Sequence, residues 1–378
     1  MDPQNIINII LTTINAIRYV SFFVPIILLI VSILLWLKFG KNDKLDKSIT
    51  YYPPKEMNIM DVSLLYNKKV WLREIAALLI NLGNKKYIEV IDEDTAKGFV
   101  IRKLKDYDGT DENEMRLMDD LFAHGRTEVG KRTLRMSFRD TTEEIISNVN
   151  CSKNRDRIFE SSSISRKYIV LVLYAISIMS AVISFAFGSS SIELGQVLIG
   201  SIFTCVGAFF VFRSILVKDM VYVKVVEAII GIIFVGISLV PIFLTLPGLI
   251  SLLCFIVDLV CVIGILLCYF NMPKRTKYGN EMLGKINGFI EFVKTCEKDD
   301  ISRLLSGNPY YFYDVLPYVH VLGLSNEWFR KFEKIPMVSS GWYHSKSYID
   351  KRSDLESLNT FLRVFQNVMA PKTENYYD

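Results

Sequence analysis

Histidine is scarce in this sequence, and its three histidines are widely separated along the chain: His124, His320 and His344. Zinc sites that use histidine draw their ligands from short, fixed spacings, and no such pair is present. The sequence also has no glycine-rich phosphate-binding loop, no nucleophile elbow and no cysteine–histidine catalytic signature. We therefore expect no metal, no cofactor and no catalytic residues, and an enzyme is the least supported class of function.

Cysteine gives little support for cross-links or metal binding. Cys151 and Cys296 lie in polar regions that are assigned to the cytoplasm below, and the other cysteines lie inside apolar stretches, at positions 205, 254, 261 and 268. Free thiols are therefore expected. The last three recur every seven residues and share a helix face with Asp258, but successive thiols there would lie roughly 10 Å apart along the axis. That spacing favours a helix-packing seam over a metal site.

Charged residues are sparse in two parts of the chain, residues 19–39 and residues 167–270. Hydrophobic residues make up 51% of the sequence and the mean hydropathy is +0.29, both high for a soluble protein. The first part, 19–39, is long enough to span a bilayer. It lacks the basic region and the small-residue cleavage site of a signal peptide, so we predict an uncleaved anchor.

The second apolar part divides at turn signals into four further predicted spans, at about residues 168–187, 196–216, 223–246 and 249–270. Lysines and arginines cluster after the first span, before the second, between the third and fourth, and after the fifth. By the positive-inside rule, this places the N-terminus outside and the C-terminus in the cytoplasm. The sequence thus predicts a multi-pass protein of the cell membrane, with residues 1–39 as outer tail and first helix and the lipid bilayer as a partner.

Residues 40–166 are predicted to form a cytoplasmic α+β domain. A helix at about 70–82 is followed by strands at 87–91 and 99–101, which is typical of a winged-helix-like unit. A further helix, a short strand and a last helix are expected at 112–122, near 134–138 and from about 142. Acidic residues surround the basic residues of the predicted hairpin, so we favour a protein-interaction module and expect no nucleic-acid partner.

Residues 271–378 are predicted to form a second cytoplasmic domain that is entirely helical. Apolar periodicity places its helices at about 280–297, 315–322, 326–332 and 353–369. We expect the last helix to pack into a core rather than to self-associate, since its apolar seam covers barely two heptads. The fold class is therefore a mainly α membrane protein with five transmembrane helices, a small winged-helix-like domain and an α-helical C-terminal domain.

Within this C-terminal region lies the most distinctive run of the sequence, Leu316-Pro317-Tyr318-Val319-His320-Val321-Leu322-Gly323-Leu324, followed by Trp328 and Phe332. It resembles the domain-of-unknown-function 2207 family of predicted membrane proteins from bacteria and archaea. Tyr87-Ile88 and the helix at 112–122 also match, so the resemblance covers nearly the whole chain. It marks Leu316, Pro317, Tyr318, Gly323 and Trp328 as an interaction surface or family motif, and it implies no established activity.

The resemblance also has departures. Family members usually carry a signal peptide and an extracellular β-rich domain before the first span, and we interpret this chain as a form without that domain. His320 stands where the family tends to have alanine. The neighbouring aromatic residues, at 310–313, 328, 342 and 343, either line a binding surface or form the domain core, and we favour the core.

Asp258 lies about halfway along the predicted fifth span, where a carboxylate costs at least a few kcal/mol unless it is paired, protonated or hydrated. It either handles a proton or cation on a polar path or is a protonated acid bonded to a neighbouring helix through Ser201, Thr204 or Ser238. Glu227, at the cytoplasmic end of the fourth span, is interpreted as an interface anchor.

Two hypotheses for function follow. The first is a non-enzymatic scaffold or accessory protein that binds a cytoplasmic or membrane protein through its two cytoplasmic domains. The alternative is a small transporter or channel that uses Asp258. The sequence is compatible with an oligomer.

Overall fold

The structure, a computed structural model, describes residues 3–45, 49–68, 70, 73–92, 98–137, 139–186, 194–216, 221–245, 249–345 and 354–369. The chain divides into two compact units. One combines residues 1–43 with 159–276 and is called the apolar unit here. The other combines residues 44–158 with 277–378 and is called the mixed unit.

The structure is mostly helical, with four short strands among the described residues. The helices are α1 (Pro3–Phe39), α2 (Ile59–Asn67), α3 (Arg73–Asn84), α4 (Glu112–Leu121), α5 (Lys131–Ser137), α6 (Arg139–Val149), α7 (Ser152–Ile158), α8 (Ser161–Ala186), α9 (Leu194–Leu216), α10 (Val221–Thr245), α11 (Leu249–Asn271), α12 (Lys277–Thr295), α13 (Lys298–Gly307), α14 (Tyr311–Val321), α15 (Ser325–Phe332) and α16 (Asp354–Met369). The strands are β1 (Ile88–Asp92), β2 (Phe99–Lys103), β3 (Glu128–Gly130) and β4 (Tyr343–Ser345).

The apolar unit consists of α1 and α8–α11. Helices α1, α8 and α11 pack against one another, α9 packs on α8, and α10 packs on α9. Within the described residues, two helical segments are long and apolar enough to cross a membrane, Phe22–Phe39 and Ser161–Ser180. Two shorter apolar segments are Ile202–Ile215 and Ile256–Asn271. The length and composition of these segments thus support a membrane protein. The five membrane crossings inferred from the sequence stay a prediction.

The mixed unit is built around a four-stranded sheet in the order β3-β2-β1-β4. Strands β1 and β2 form an antiparallel hairpin in which Val90 is opposite Ile101. Strand β4 joins the other side of β1 in parallel, with Val90 opposite Tyr343. The regions that the sequence analysis treated as two domains therefore contribute to one sheet.

Two local predictions in the mixed unit are wrong. The strand expected near 134–138 is helix α5, and the third strand is β3 instead. Leu134 and Met136 alternate with polar residues as in a strand, but a stretch this short is ambiguous between the two periodicities. The C-terminal region is not entirely helical either, because β4 pairs with a strand far away in sequence. The winged-helix-like assignment is not confirmed.

The core of the mixed unit lies on both sides of α3. Its apolar face, predicted from helical spacing, is fully buried, and α14 packs along it. On the other side, Phe361 and Phe365 of α16 contact Phe99 of β2, with ring centroids 5.0 and 6.1 Å apart. The seam of α16 is thus used in the core, as expected.

Candidate functional site

Asp258 lies on the buried face of α11, one turn before Cys261 and Val262, which are buried as well. Its exposed fraction is only 5%. Its Oδ1 atom is enclosed and accepts no hydrogen bond in the part of the chain that the structure describes. The side chains of Ser201 and Ser238, which the sequence suggested as partners, lie outside the described residues.

Ser177 of α8 lies at nearly the same level of the bundle as Asp258. The two helices are antiparallel, because the Lys274 backbone N–H just after α11 donates to Ser163 Oγ at the start of α8 (3.0 Å). Asp258 lies 274 − 258 = 16 residues from that contact and Ser177 lies 177 − 163 = 14 residues from it, so both are about four helical turns from this end of the two helices. Ser177 is fully buried, and its hydroxyl has no partner among the described residues.

An apolar cluster fills the bundle between this level and the Asn271 end of α11. Side chains of α8 and α11 form its buried part: Val170, Tyr174, Ile178, Val262, Ile265, Leu266 and Cys268, with Met272 just beyond. Residues of α1 and α9 pack around it. The Tyr174 hydroxyl donates to the Cys205 carbonyl of α9 (2.9 Å), so the polar atom of this side chain has a hydrogen-bond partner. The side towards Asn271 is therefore tightly packed.

Glu227 is buried and paired with Arg213 of α9, and its assignment as an interface anchor stays a prediction. The same two helices approach each other closely at Gly207 and Gly231. A Cβ atom at Gly231 would lie 2.7 Å from the Gly207 carbonyl oxygen, and the reverse distance is also 2.7 Å. The α9–α10 pair is thus held by backbone contact and by one buried ion pair.

In the mixed unit, the family-like motif forms helix α14 and the turn that ends it. Leu316 and Trp328 are completely buried, Pro317 is buried within the helix, and Tyr318 is half-buried. Burial and the nearby carboxylates Glu114 and Asp111 raise the pKa of Tyr318. The motif is thus mainly a core element.

Gly323 ends α14 in the left-handed conformation, with φ of +77°. Its N–H donates to the His320 carbonyl, and the Leu324 N–H donates to the Val319 carbonyl, each over 3.0 Å. This pair of bonds is a Schellman motif, which favours glycine at the left-handed position. The Leu-Gly pair of the motif is therefore explained by helix capping.

Polar side chains of α2 and α3, most of them buried, bind the end of α14. The Val321 carbonyl accepts hydrogen bonds from Asn67 Nδ2 (3.2 Å) and Arg73 Nη2 (3.1 Å). Asn67 also donates to Ser63 Oγ, which donates to Glu74 Oε1 (2.9 Å). Sequence reasoning missed this network, and the only signal was the Arg73-Glu74 pair at the start of a helix whose other face is apolar.

His320 links α14 to α15 and α16. Its Nδ1 lies 2.9 Å from Ser325 Oγ, and its Nε2 lies 2.5 Å from the amide nitrogen of Gln366. Because that amide can only donate, Nε2 is the acceptor and Nδ1 carries the hydrogen. Burial, with Arg73 nearby, lowers the pKa of His320 to about 3, so this histidine is a neutral structural group.

Most of the aromatic residues near the motif form the core, as expected. Trp328 stacks on Phe312 and also contacts Phe332, at 6.2 and 4.7 Å between ring centroids. Trp342 Nε1 donates to Asn84 Oδ1 (2.8 Å). Tyr310 differs, since 51% of it is exposed.

Ile49, Tyr51, Tyr52 and Tyr310 are exposed. We call these four residues together the tyrosine surface, because Tyr311, which follows Tyr310 in sequence, contacts both Tyr51 and Tyr52. The segment that carries Ile49, Tyr51 and Tyr52 is fixed on the unit. Thr50 Oγ1 donates to the Lys285 carbonyl (3.2 Å) and the Tyr311 hydroxyl donates to the Tyr51 carbonyl. The Tyr51 ring meets Phe292 and the Tyr52 ring meets Tyr311, at 5.1 and 5.0 Å between centroids.

A search of the described residues finds no group of three or more His, Cys, Asp or Glu side chains that could hold a metal ion. The cysteines whose side chains the structure describes are free thiols, at positions 151, 205, 261, 268 and 296. The site residues inferred from sequence therefore fall into two separate places. Asp258 lies in the apolar unit, and the motif residues lie in the mixed unit.

A family model described as the C-terminal domain of a predicted membrane protein, DUF2207, matches residues 49–332. The chain belongs to this family. No curated protein and no solved structure matches it. The DUF2207 match includes α8–α11, the first three strands and the motif from Leu316 to Trp328, so the resemblance drawn from that motif is confirmed. The family is one of membrane proteins of unknown function, and its description assigns no activity.

Proposed function

We propose that the protein is a non-enzymatic scaffold or accessory protein of the cell membrane that binds a protein partner through the tyrosine surface. The observation that carries this proposal is the exposure of Tyr51 and Tyr310 on two segments that are joined by the hydrogen bond from the Tyr311 hydroxyl to the Tyr51 carbonyl. Tyrosine supplies a large amphipathic contact area and is enriched in protein interfaces. A rigid side chain also loses little conformational entropy on binding.

Membrane topology forms part of the same proposal: five spans, with the N-terminus outside and the mixed unit in the cytoplasm. The sheet supports an even number of membrane crossings between the two halves of the mixed unit. Strands β1 and β4 are paired, so residues 44–158 and 277–378 lie on the same side of any membrane. An even number of crossings must then separate them, and α8–α11 supply four helices.

The test is site-specific crosslinking of the full-length protein in its native membrane. A photo-crosslinking residue at position 51 or 310 should capture a defined protein. Tyr51→Ala and Tyr310→Ala should each reduce its recovery by about tenfold, as for residues at the centre of an interface. Both variants retain the buried ring of Tyr311.

Met115→Ala is the matched control. Met115 is also exposed, at 46%, but belongs to α4, outside the tyrosine surface. It should leave recovery unchanged. Equal loss in all three variants, or capture of many unrelated proteins, would contradict the proposal.

A second candidate function is transport of a proton or cation through the apolar unit. The observation that favours it is the buried Oδ1 atom of Asp258, for which the described residues supply no partner. Asp258→Asn should abolish coupled flux in vesicles and leave partner capture intact. Tyr51→Ala should have the opposite effect. Deleting residues 280–378 would not separate the two functions, because it removes β4 and much of the mixed-unit core.

A further inference from the structure

Two buried oxygen atoms without described hydrogen-bond partners lie at a similar height in the apolar unit, one on Asp258 and one on Ser177. Asp258 Oδ1 and Ser177 Oγ are both enclosed, both lack a described hydrogen-bond partner, and their residues lie on the contacting helices α11 and α8. Buried polar atoms normally have hydrogen-bond partners. Two buried oxygen atoms without partners at a similar height therefore indicate a binding site for a further species, such as a proton, a water molecule or an ion. An ionised carboxylate without a partner is expensive in such surroundings.

The number of oxygen atoms decides which species fits. A hard metal cation typically takes six or more oxygen ligands. Among the side chains that the structure describes, Asp258 and Ser177 together offer three oxygens, and the neighbouring residues on the Asn271 side are apolar. A proton needs only one carboxylate oxygen, and the neutral acid then gains a donor that a hydroxyl oxygen can accept.

We propose that Asp258 is a proton-binding site, with Ser177 as its polar neighbour, and that protons reach it from the Leu249 end of α11. The apolar cluster from Val170 to Met272 closes the opposite direction. Binding forms one O–H bond on the Asp258 carboxylate and consumes one proton from water. This proton site rests on the second candidate function, proton or cation transport, only for what the bound proton is used for.

The first experiment is chemical labelling of the full-length protein in lipid vesicles with dicyclohexylcarbodiimide. This lipid-soluble reagent modifies protonated carboxyl groups within membranes. Asp258 should be labelled at pH 7, and Asp258→Asn should lose that label. Glu227 is the internal control, since it is also buried but paired with Arg213, and it should stay unlabelled.

Infrared spectroscopy provides a measurement that needs no reagent access. The carbonyl band of a protonated carboxyl group should be present at pH 7, absent in Asp258→Asn and shifted in Ser177→Ala. Lowering the pH on the Leu249 side of sealed vesicles should increase labelling, and lowering it on the Asn271 side should not. Equal response from both sides would overturn the one-sided access.

A missing infrared band together with a missing label would overturn the proton site. Protection of Asp258 from the reagent by sodium or potassium chloride at constant pH would assign it to a metal cation instead. Flux is measured separately, with a pH-sensitive dye inside the vesicles. A labelled, protonated Asp258 without flux would refute transport while leaving the proton site in place.

Discussion

Single residues in this protein are explained by two different kinds of constraint. Gly323 is required by backbone geometry, since its φ of +77° completes the Schellman motif at the end of α14. His320 and Glu74 are required by their partners, since both are buried and hydrogen-bonded. The residues of the family motif are therefore explained by the packing of α14 and by the cap at its C-terminal end.

Gly323→Ala should lower the free energy of unfolding of the mixed unit by about 1–2 kcal/mol, because a Cβ atom is unfavourable in the left-handed region. Thermal unfolding of the purified full-length protein measures this effect. Gly307→Ala is the control, since Gly307 ends helix α13 with no atom within 4 Å of an added Cβ. That variant should unfold at the wild-type temperature or slightly above it. Equal melting temperatures for both variants would contradict the role of Gly323.

The pKa of His320 predicts how stability depends on pH. Its folded-state pKa of about 3 lies below the ordinary value of 6.5, so the unfolded chain binds the proton more readily. The stability it contributes is complete above pH 6.5 and declines as the pH falls towards 3. At pH 5 the loss should be about 2 kcal/mol. His124 is exposed and provides the matched control position.

The measurement compares melting temperatures at pH 7.5 and pH 5 for wild type, His320→Gln and His124→Gln. The decrease on acidification should be smaller in His320→Gln than in the other two proteins. An equal decrease in all three would show that other groups cause the acid sensitivity.

At the scale of helices and strands, local patterning succeeded where an element carries a long apolar stripe. The spacing of Ile75, Leu78, Leu79 and Leu82 predicted α3, and similar stripes predicted α12 and α16. Short elements were missed or misread, namely α2, α5, α7, α13 and β4. Strand β4 has three residues and depends on pairing with β1, and neither property is visible in local sequence.

The sites follow the same division. Asp258 was found because a charge inside an apolar run is conspicuous. Ser177 was missed because serine is ordinary in an apolar helix, and its significance depends on the antiparallel alignment of α8 and α11. The tyrosine surface was only partly visible, since Tyr310 was grouped with aromatic residues that are buried.

The contact of α9 with α10 makes a prediction at this scale. Gly231→Val should disrupt it, because the added Cβ would lie 2.7 Å from the Gly207 carbonyl oxygen, which cannot move aside alone. Overpacking of this kind costs about 1–3 kcal/mol. Gly236→Val on the same helix is the control, since nothing lies within 4 Å of its added Cβ. Protease resistance in detergent should fall in the first variant only.

At the scale of the whole molecule, the mixed unit is assembled from two regions that flank α8–α11 in sequence. Residues 44–158 supply β1–β3 and α3, and residues 277–378 supply β4, α14 and α16. Each region by itself leaves apolar surface uncovered, because α3 is buried by α14 and Phe99 is covered by α16.

Residues 44–158 expressed alone should therefore be degraded rapidly by a protease. Co-expression with residues 277–378 as a separate chain should restore resistance and allow the two to be purified together. The double variant Phe361→Ala and Phe365→Ala in the second chain should weaken this complementation, since both rings pack on Phe99. Stable folding of the first region alone would contradict a shared core.

The pairing of β1 with β4 also determines when the mixed unit can finish folding during synthesis. A ribosome completes β1 at residue 92 but releases β4 only after residue 345, when all of α8–α11 have been made. During that interval the first half of the mixed unit has no second half to cover α3. Incomplete domains of this kind expose apolar surface and aggregate readily. Synthesis of α8–α11 must therefore precede completion of the mixed unit, and a chain that ends within them lacks the helix that covers α3.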